Sequence, residues 1–518
     1  MIQLKNIELM HSRDLTVMVK DLSCTFNSGD KAVIIGEEGE GKSTLLKYIY
    51  DPSLVSDYAE CSGDVLLLSE KTAYLPQTLP DDLRDVPVEG YLGPGIEESF
   101  YDPDLSSCLW MLAPEGPDSF AGRAMSTLSG GEKIRVQLIK ILSGAPTALL
   151  LDEPSNDIDI ETLELLEKLI NSFKGIVLFI SHDETLISNT ANMVIHIERL
   201  NRRTEPRCTV ARTGYEEYVS RRNRAFEKQA QQAQNDLREK QIRDEKIDRI
   251  QKSVQSALEN ISRRDPGTGR LLKKKMRSVK SMERRFSRED EDMTEMPRSE
   301  LPINFILNPE KDLPEGKTVL DLQTDILKKE DGSGVLSRGI KIFVRGPRRI
   351  CITGRNGCGK TTLIRKIVSS LEGRRDITWE YMPQDYADSL DMERTPVDAV
   401  CDSWDPDDRK KARNHLAALR FTADEMDHRV SDLSSGQQAK LFLLRMELNS
   451  PDLLILDEPT RNLSPLSGPV IRQMLRNYGG AIISVSHDRR YIREVADTVL
   501  ELGPDGLTDV TDRFRINV

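Results

Sequence analysis

Two short glycine-rich stretches combine the residue types that bind a polyphosphate. GEEGEGKS begins at Gly36 and GRNGCGKT begins at Gly354, so both fit the pattern GxxxxGK[ST]. Each follows an apolar run and precedes a predicted helix, which is the context that this motif requires. Glycines let backbone amides point at phosphate oxygens, and the helix start adds partial positive charge. The lysine of each loop is expected to reach the β- and γ-phosphates, and the hydroxyl residue after it to bind Mg²⁺; these residues are Lys42 and Ser43, and Lys360 and Thr361.

Four further motifs follow in the same order in both halves of the chain. They are YLPQ and YMPQ, LSGGE and LSSGQ, LLLDEP and LILDEP, and ISHD and VSHD. From the leucine of the second motif to the aspartate of the third is 24 residues in each copy, 128 to 152 and 433 to 457. From that aspartate to the histidine of the fourth is 30 residues, 152 to 182 and 457 to 487. Equal spacings predict two copies of one nucleotide-binding domain, with an α/β fold.

This order of motifs resembles that of the ABC ATPases: Walker A, Q-loop, signature, Walker B, D-loop and switch histidine. The resemblance implies that the two domains face each other head to tail, so that each ATP lies between one Walker A loop and the other domain's signature. The first site would then comprise Gly36, Gly39, Gly41, Lys42, Ser43, Thr44, Gln77, Asp152, Glu153 and His182, with Ser434, Ser435 and Gly436 opposite. The second would comprise Gly354, Gly357, Gly359, Lys360, Thr361, Thr362, Gln384, Asp457, Glu458 and His487, with Ser129, Gly130 and Gly131 opposite.

The chemistry of these residues agrees with the resemblance. An aspartate that ends a buried strand can sit beside Mg²⁺, the next carboxylate can polarise an attacking water, and the histidine can contact the γ-phosphate. Hydrolysis is therefore expected at both sites, with Glu153, Glu458, His182 and His487 as catalytic residues. The expected metal ligands are Ser43, Gln77 and Asp152 in one site, and Thr361, Gln384 and Asp457 in the other.

The two copies also differ from each other. The first loop carries Glu37, Glu38 and Glu40 beside a site for a polyanion, at small cost if these side chains point to solvent. Weaker nucleotide binding is expected there. The D-loops differ too, because SNDID contains Asp159 where TRNLSP has Ser464. An aromatic residue for adenine is not evident, and His11 is the N-terminal candidate; preference for ATP over GTP thus follows from the resemblance alone.

Composition excludes several other classes of protein. The 518 residues have a formal net charge of -12, and no apolar run approaches the ~18 residues of a membrane span. The N-terminus has no pattern of a secretory signal, and the seven cysteines form no CxxC pair, so reduced thiols and a cytoplasmic location are expected. Three parts are predicted: a first ATPase domain over 1–213, a linker over 214–302, and a second ATPase domain over 303–518 with a short tail.

The linker sequence predicts an antiparallel helical hairpin. No proline precedes Pro266 after Gly214, and Ile247, Ile250, Val254, Ala257 and Ile261 form a heptad seam. The first arm would have about 45 residues and a length of ~65–70 Å at 1.5 Å per residue. The stretch 265–269, DPGTG, is expected to break the helix near a tip at 263–270, and a second helix is expected from about 271 to 288.

The end of this hairpin is strongly basic. Between Arg263 and Arg288 the chain has 11 lysines or arginines and two acids, a local charge of +9. A solvated coil without a partner is one reading, but this much self-repulsion favours neutralisation by a polyphosphate. The candidate RNA contacts are Arg263, Arg264, Arg270, Lys273, Lys274, Lys275, Arg277, Lys280, Arg284 and Arg285.

Two ABC domains, no membrane spans and a hairpin linker together resemble the ABC-F family, whose members act on ribosomes. The resemblance implies an intramolecular ABC dimer in a monomer that enters the tRNA exit site. Its hairpin would reach large-subunit rRNA near the peptidyl transferase centre and P-site tRNA. The lack of an inserted arm, since Gln77 to Leu128 is 51 residues and Gln384 to Leu433 is 49, looks most like the antibiotic-resistance branch of the Vga, Lsa and VmlR type.

Three alternatives stay open at this point. A housekeeping ABC-F translation factor would bind the ribosome without any drug effect. A transport ATPase pair would dock onto a permease, where a basic hairpin has no role. A DNA-repair or structural-maintenance relative would carry much longer coils inside one ATPase domain.

Overall fold

The computed structural model of the chain describes residues 1–103, 105–200, 205–259, 266–291, 293–294, 313–329, 332, 334–401, 405–419 and 421–515. The chain divides into two compact units. One unit comprises Met1–Tyr215 together with Glu300–Val518, and the other is Glu216–Ser299. The first unit therefore holds both predicted ATPase domains, and the second holds the hairpin.

The first ATPase domain is built from strands and helices in alternation. Its strands are β1 (Ile2–His11), β2 (Val17–Phe26), β3 (Lys31–Ile35), β4 (Ala59–Leu67), β5 (Thr72–Leu75), β6 (Ala148–Asp152), β7 (Ile176–Ile180), β8 (Met193–Leu200) and β9 (Glu205–Ala211). Its helices are α1 (Lys42–Tyr50), α2 (Val88–Leu92), α3 (Ile96–Ser99), α4 (Ser106–Leu112), α5 (Gly130–Ser143), α6 (Ile160–Ser172) and α7 (Glu184–Thr190).

The main sheet of this domain has the strand order β5-β6-β7-β3-β8-β9, with β9 antiparallel to β8 and the other pairs parallel. Strands β3, β6 and β7 are buried along their whole length. Continuous apolar runs such as ALLLD and IVLFI suit strands that are covered on both faces. The other sheet is antiparallel, with the order β2-β1-β4.

The hairpin unit contains two long helices, α8 (Tyr215–Glu259) and α9 (Pro266–Glu291). Within this unit, Asp290 of α9 forms ion pairs with Lys240 at 2.9 Å and with Arg243 at 2.8 Å, both on α8. Val254 and Val279 are buried, and the predicted seam residues Ile247, Ile250 and Ala257 are half-buried. The structure thus confirms the antiparallel hairpin and its 45-residue first arm; the seam residue Ile261 lies outside the described residues.

The predicted break at 265–269 is wrong for most of its length. The second helix begins at Pro266 instead of near residue 271, so the segment PGTG is helical. Proline suits the first position of a helix, because its fixed φ matches the helix and its missing N–H would have no partner there. Residues 260–265, which include Arg263 and Arg264, lie outside the part of the chain that the structure describes.

The second ATPase domain repeats the first. Its strands are β10 (Thr318–Lys328), β11 (Val335–Arg345), β12 (Arg349–Thr353), β13 (Trp379–Met382), β14 (Leu453–Asp457), β15 (Ala481–Val485), β16 (Thr498–Gly503) and β17 (Gly506–Asp509). Its helices are α10 (Lys360–Leu371), α11 (Pro396–Val400), α12 (Pro406–Ala418), α13 (Ala423–Asp427), α14 (Ser435–Asn449), α15 (Gly468–Arg476), α16 (Arg489–Val495) and α17 (Thr511–Arg515).

The sheet order β13-β14-β15-β12-β16-β17 matches that of the first domain strand for strand. The predicted fold, two tandem ABC-type P-loop domains and a helical hairpin, is confirmed. The seven cysteines all fall in described positions and are free thiols. Among the helices of the described ranges, none is long and apolar enough to cross a membrane.

Candidate functional site: two nucleotide sites between the ATPase domains

Each Walker A loop joins a buried strand to the start of a helix. The loop after β3 leads into α1 through Gly41, and the loop after β12 leads into α10 through Gly359. Both glycines have positive φ, 85° and 103°, a conformation that a side chain would strain. Lys42 donates to the carbonyls of Gly36 at 3.0 Å and Glu37 at 2.8 Å. Lys360 makes the equivalent bonds within its own loop.

The end of β6 places Asp152 beside the first Walker A loop. Ser43 Oγ donates to Asp152 Oδ1 at 2.8 Å, and Tyr74 Oη donates to Asp152 Oδ2 at 3.0 Å. Burial raises the pKa of Asp152, which these hydrogen bonds oppose. A serine hydroxyl and a carboxylate in contact form a pair of oxygen ligands that suits Mg²⁺.

The carboxyl of Glu153 lies between the Q-loop and the switch histidine. Gln77 Nε2 donates to its Oε2 at 3.0 Å, and His182 Nε2 lies 3.4 Å from its Oε1. Burial disfavours ionisation, but the hydrogen bond and charge of His182 outweigh it and lower the pKa of Glu153 to about 2. Its backbone has φ 48°, as Glu458 has φ 54°, a conformation that is costly for a non-glycine residue and recurs at functional sites.

The second site has a different electrostatic arrangement. Burial is the main cause that raises the pKa of Glu458 to about 8, and the negative charge of Asp457 is the second cause. Burial is also the main cause that lowers the pKa of His487 to about 3, and the positive charge of Lys360 is the second cause. Asp457 Oδ2 and both ring nitrogens of His487 are buried without a hydrogen-bond partner in the structure. Buried polar atoms of this kind are costly, and a divalent cation with a terminal phosphate would satisfy them.

A cavity of about 1170 Å³ surrounds these residues. The cavity is bounded by the second Walker A loop on one side and the first signature on the other. Predicted site residues that line it are Gln77, Ser129, Gly130, His182, Gly357, Gly359, Lys360, Thr361, Thr362, Gln384, Asp457, Glu458 and His487. The structure therefore brings the second loop and the first signature together, in the head-to-tail manner that the resemblance implied.

Both signature motifs start a helix with a capping box. Ser129 caps α5 with Glu132, and Ser434 caps α14 with Gln437. Gly131 and Gly436 follow in the first turns of these helices and are buried. At the start of α14, Ser435 Oγ and the Gly436 amide donate to Glu38 of the first domain, and at the start of α5, Ser129 and Gly130 line the cavity beside the second Walker A loop. Such groups at a helix start favour anions.

The D-loops connect the two sites. His182 Nδ1 donates to the Leu463 carbonyl of the second domain at 2.8 Å. Asp157 of the first domain accepts from Arg461 at 2.8 Å, and Gln384 Nε2 lies 3.4 Å from its other carboxylate oxygen. Asp159, the D-loop acid that the second domain lacks, caps α6 of its own domain by accepting from the Thr162 amide at 3.0 Å.

The acids of the first Walker A loop do not point to solvent. Glu37 is 8% exposed and Glu40 4% exposed, and Glu38 is half-buried. Each finds donors in a neighbouring element: Lys440 for Glu37, the start of α14 for Glu38, and backbone amides for Glu40. The condition under which these acids would cost little, exposure to solvent, is therefore not met. The second domain covers Glu37 and Glu38, and Glu40 accepts from amides of its own domain.

The motifs alone do not predict several residues that contact the two candidate sites. Tyr74, which bonds Asp152, stands three residues before Gln77, and Tyr381 stands three residues before Gln384. That repeated offset was a signal in the sequence. Lys440 gave no signal, since it is an ordinary helix residue. His11 is paired with Asp14 at 3.0 Å at the end of β1.

The predicted RNA contacts lie on α9 wherever the structure describes them. All of these side chains are exposed, namely Arg270, Lys273, Lys274, Lys275, Arg277, Lys280, Arg284 and Arg285. Along the described residues, no group of three or more His, Cys, Asp or Glu side chains has the geometry of a metal site. Beside each Walker A loop, the candidate Mg²⁺ ligands include only one carboxylate and one hydroxyl, Asp152 with Ser43 and Asp457 with Thr361, so neither site would form such a group of three.

Comparisons with known proteins agree with this architecture. The sequence family described as ABC transporter matches residues 19–156 and 338–461. ABC transporter F family member 5 of Arabidopsis thaliana is 26% identical, over 99% of this chain and 76% of its own length. The ribosome protection protein VmlR of Bacillus subtilis is 27% identical, over 96% of this chain and 85% of its own.

A solved structure has the same fold over nearly the whole chain. It is a crystal structure of an archaeal ribosome recycling factor in complex with a ribosomal stalk protein, with 18% identity and a TM-score of 0.58. The match covers 99% of this chain and 92% of the solved one. At this identity the likeness supports the fold alone.

Proposed function

Because the chain belongs to the ABC transporter family of ATPases, we propose that it is an ABC-F protein that binds the ribosome through its helical hairpin. Its tandem ABC domains hydrolyse ATP. ATP binding would close the two domains on each other, and hydrolysis would release them. The proposed limits of the parts are 1–213, 214–302 and 303–518, and the proposed location is the cytoplasm.

The observation that carries this proposal is the row of exposed cations on α9. Eight lysine and arginine side chains in its described part, from Arg270 to Arg285, reach solvent in a chain whose net charge is -12. Cations held on one helix gain most from a partner that is a phosphate chain, because counterions are released on binding. A pair of transport ATPase domains that docks onto a permease does not require a basic helix of this kind.

The residues proposed to act on ATP are those of the two sites between the domains. Lys42 and Lys360 would hold the phosphates, with Ser43 and Asp152, or Thr361 and Asp457, around Mg²⁺. The Mg²⁺ ion, when bound, would neutralise charge on the β- and γ-phosphates. Glu153 and Glu458 would orient the attacking water, and His182 and His487 would contact the γ-phosphate. Gln77 and Gln384 would complete the ligands of Mg²⁺ in the first and the second site.

The finer proposal is that the protein relieves inhibition by antibiotics bound near the peptidyl transferase centre. It would enter the tRNA exit site and contact large-subunit rRNA and P-site tRNA. Similarity to VmlR over nearly the whole chain favours this reading. A housekeeping translation factor is the second candidate, because the plant F family member is about as similar to this chain as VmlR is, and its name includes no ribosome protection.

Bacterial cell-free translation tests the proposal. The double variant Glu153→Gln, Glu458→Gln should bind ATP without hydrolysing it and block synthesis. Adding Lys273→Ala, Lys274→Ala and Lys275→Ala should relieve the block. Three exposed lysines of the ATPase unit, Lys71, Lys174 and Lys410, give a control with the same loss of charge, and their replacement by alanine should leave the block in place.

A lincosamide in the same reaction separates the two candidates. Rescue by the wild-type protein would support antibiotic relief. A block by the double variant without rescue by wild type would support the housekeeping factor. If neither protein altered synthesis, ribosome binding itself would be refuted.

A further inference from the structure

The most unusual contact between the ATPase domains involves Glu38 of the first Walker A loop. Its carboxylate accepts from Ser435 Oγ at 2.9 and 3.1 Å and from the Gly436 amide at 2.6 Å. Both donors belong to the first turn of α14, the signature helix of the second domain. A short bond from an amide at a helix start to a carboxylate is a strong, charge-assisted interaction.

These donors are the groups that the first site would offer to a terminal phosphate. A hydroxyl and a backbone amide at a helix start recognise an anion by its oxygens and charge, whichever molecule carries them. Ser435 and Gly436 are already engaged by a carboxylate of the protein. A γ-phosphate at this site would therefore have to take the same donors from Glu38.

A second contact holds the acidic loop against the same helix. Lys440, one turn further along α14, donates to Glu37 Oε1 at 2.7 Å, with the two side chains 6% and 9% exposed. Glu40 turns the other way, accepting from the Glu37 amide at 2.7 Å and the Arg199 amide at 3.2 Å. The loop therefore presents Glu37 and Glu38 together to the second domain.

The second Walker A loop is different at the matching position. Asn356 stands where Glu38 stands, two residues after the first glycine of the loop. It is neutral and donates to the Asp157 carbonyl at 2.5 Å, a D-loop contact instead of a signature contact. The signature residues Ser129 and Gly130 face the cavity that also contains Lys360 and Thr361.

We propose that Glu38 is an intramolecular substitute for the terminal phosphate at the first site. The first loop then closes on the second signature without a nucleoside triphosphate, and ATP must displace Glu38 to bind there in the closed state. ADP has no γ-phosphate and does not compete for these donors. The first site therefore discriminates against ATP relative to ADP, while the second site does not. This follows from ATP binding alone and is independent of any ribosomal partner.

The test is equilibrium binding of fluorescent ATP and ADP, each with Mg²⁺, to the full chain. Lys360→Ala removes binding at the second site, and Glu153→Gln prevents hydrolysis at the first. In this background Glu38→Asn, which copies the second loop, should raise ATP affinity about tenfold or more, the value of one charge-assisted hydrogen bond, and leave ADP affinity within about twofold. Glu38→Gln, which keeps the size of the side chain, should act in the same direction.

The ratio of the two affinities decides the outcome. An equal rise for ATP and ADP would mean that Glu38 acts only as a nearby charge, and the proposal would fail. A fall in ATP affinity, or no change in either affinity, would overturn it as well.

The reciprocal change tests the same idea at the other site. In a Lys42→Ala, Glu458→Gln background, Asn356→Glu should lower ATP affinity at the second site about tenfold and spare ADP. Unchanged ATP affinity in a variant that still binds ADP would show that a carboxylate at this loop position does not compete with the phosphate.

Discussion

Arg472 and Glu184 form an ion pair that joins the two ATPase domains and is almost fully buried. Arg472 of α15 is 2% exposed and Glu184, at the start of α7, is 4% exposed. Arg472 Nη2 donates to Glu184 Oε2 at 3.2 Å, and its Nε donates to Glu494 at 2.7 Å. Arg490 adds a second cation on Glu184, also at 3.2 Å. Since α7 follows the switch histidine His182, this pair ties the position of the first histidine to the second domain.

Removing the cation of this pair should destabilise the protein strongly. Arg472→Met leaves Glu184 buried with one fewer partner, and truncating one side of a buried pair costs about 3–5 kcal/mol. Urea unfolding of the variant, followed by tryptophan fluorescence and by circular dichroism, measures the change. The double variant with Glu184→Gln should recover part of the loss, because the orphaned charge is then gone.

An exposed pair between the same domains provides the matched control. Arg355 and Glu161 lie 3.2 Å apart with side chains 76% and 55% exposed. Glu161→Gln should change the free energy of unfolding by about 1 kcal/mol or less, because water screens such pairs. A loss in Arg472→Met as small as that of the control would contradict the role given to the buried pair.

The fold could be predicted from the sequence because the motifs fix their own elements. A strand must precede each Walker A loop and each Asp-Glu pair, and the equal offsets predict two copies; the matching sheet orders follow from this. The hairpin was predictable from the absence of helix breakers before Pro266. The start of α9 was not predictable, because a proline in the sequence is typical both of a helix break and of the first residue of a helix.

The composition of the candidate sites was predictable, but their asymmetry was only partly so. The three acids of the first loop are visible in the sequence, yet the donors to Glu37 and Glu38 come from Ser435, Gly436 and Lys440, about 400 residues further along the chain. Whether an acid faces solvent or a donor depends on this long-range packing. No local pattern in the sequence contains that information.

The two Walker B glutamates should contribute unequally to turnover. If ATP competes with Glu38 at the first site, most hydrolysis occurs at the second, so Glu458→Gln should remove the larger share of phosphate release. Glu153→Gln should remove less, and the double variant should lower the rate by about 10²–10⁴, as loss of a general base does. Steady-state phosphate release at saturating ATP measures all three variants.

An equal loss of turnover in the two single variants would contradict the asymmetry of the two sites. Unaltered turnover in the double variant would contradict the assignment of both glutamates.

Asp183 should make stability depend on pH in mildly acidic solution. Burial raises its pKa from 3.8 to about 6, despite the nearby cation of Arg489. A raised pKa means that the folded chain binds the proton more tightly, so this contribution to stability is present below pH 4 and is lost as pH rises to about 6. The whole change is on the order of 2–3 kcal/mol.

Asp183→Asn isolates this effect, because asparagine can still cap α7 by accepting from the Leu186 amide. The variant should gain stability relative to wild type as pH rises from 4.5 through about 6, with a constant difference above about pH 7. Unfolding temperatures of both proteins across this range measure it. Asp51→Asn is the control, since the backbone hydrogen bond from Ser53 lowers the pKa of that exposed cap and the sign reverses. A difference between wild type and Asp183→Asn that is flat from pH 4.5 to 7 would refute the prediction.

Binding to the ribosome should weaken with salt in proportion to the cations that α9 contributes. Each lysine that neutralises a phosphate adds about 0.7–0.9 to the slope of log affinity against log salt. Replacing Lys273, Lys274 and Lys275 with alanine should thus reduce the slope by about 2. Sedimentation of the ATP-bound Glu153→Gln, Glu458→Gln protein with ribosomes between about 50 and 200 mM potassium chloride gives the slope. The Lys71, Lys174 and Lys410 alanine variant loses the same charge elsewhere and should keep the wild-type slope. If both triple variants changed the slope equally, the protein's net charge and not the hairpin would govern binding.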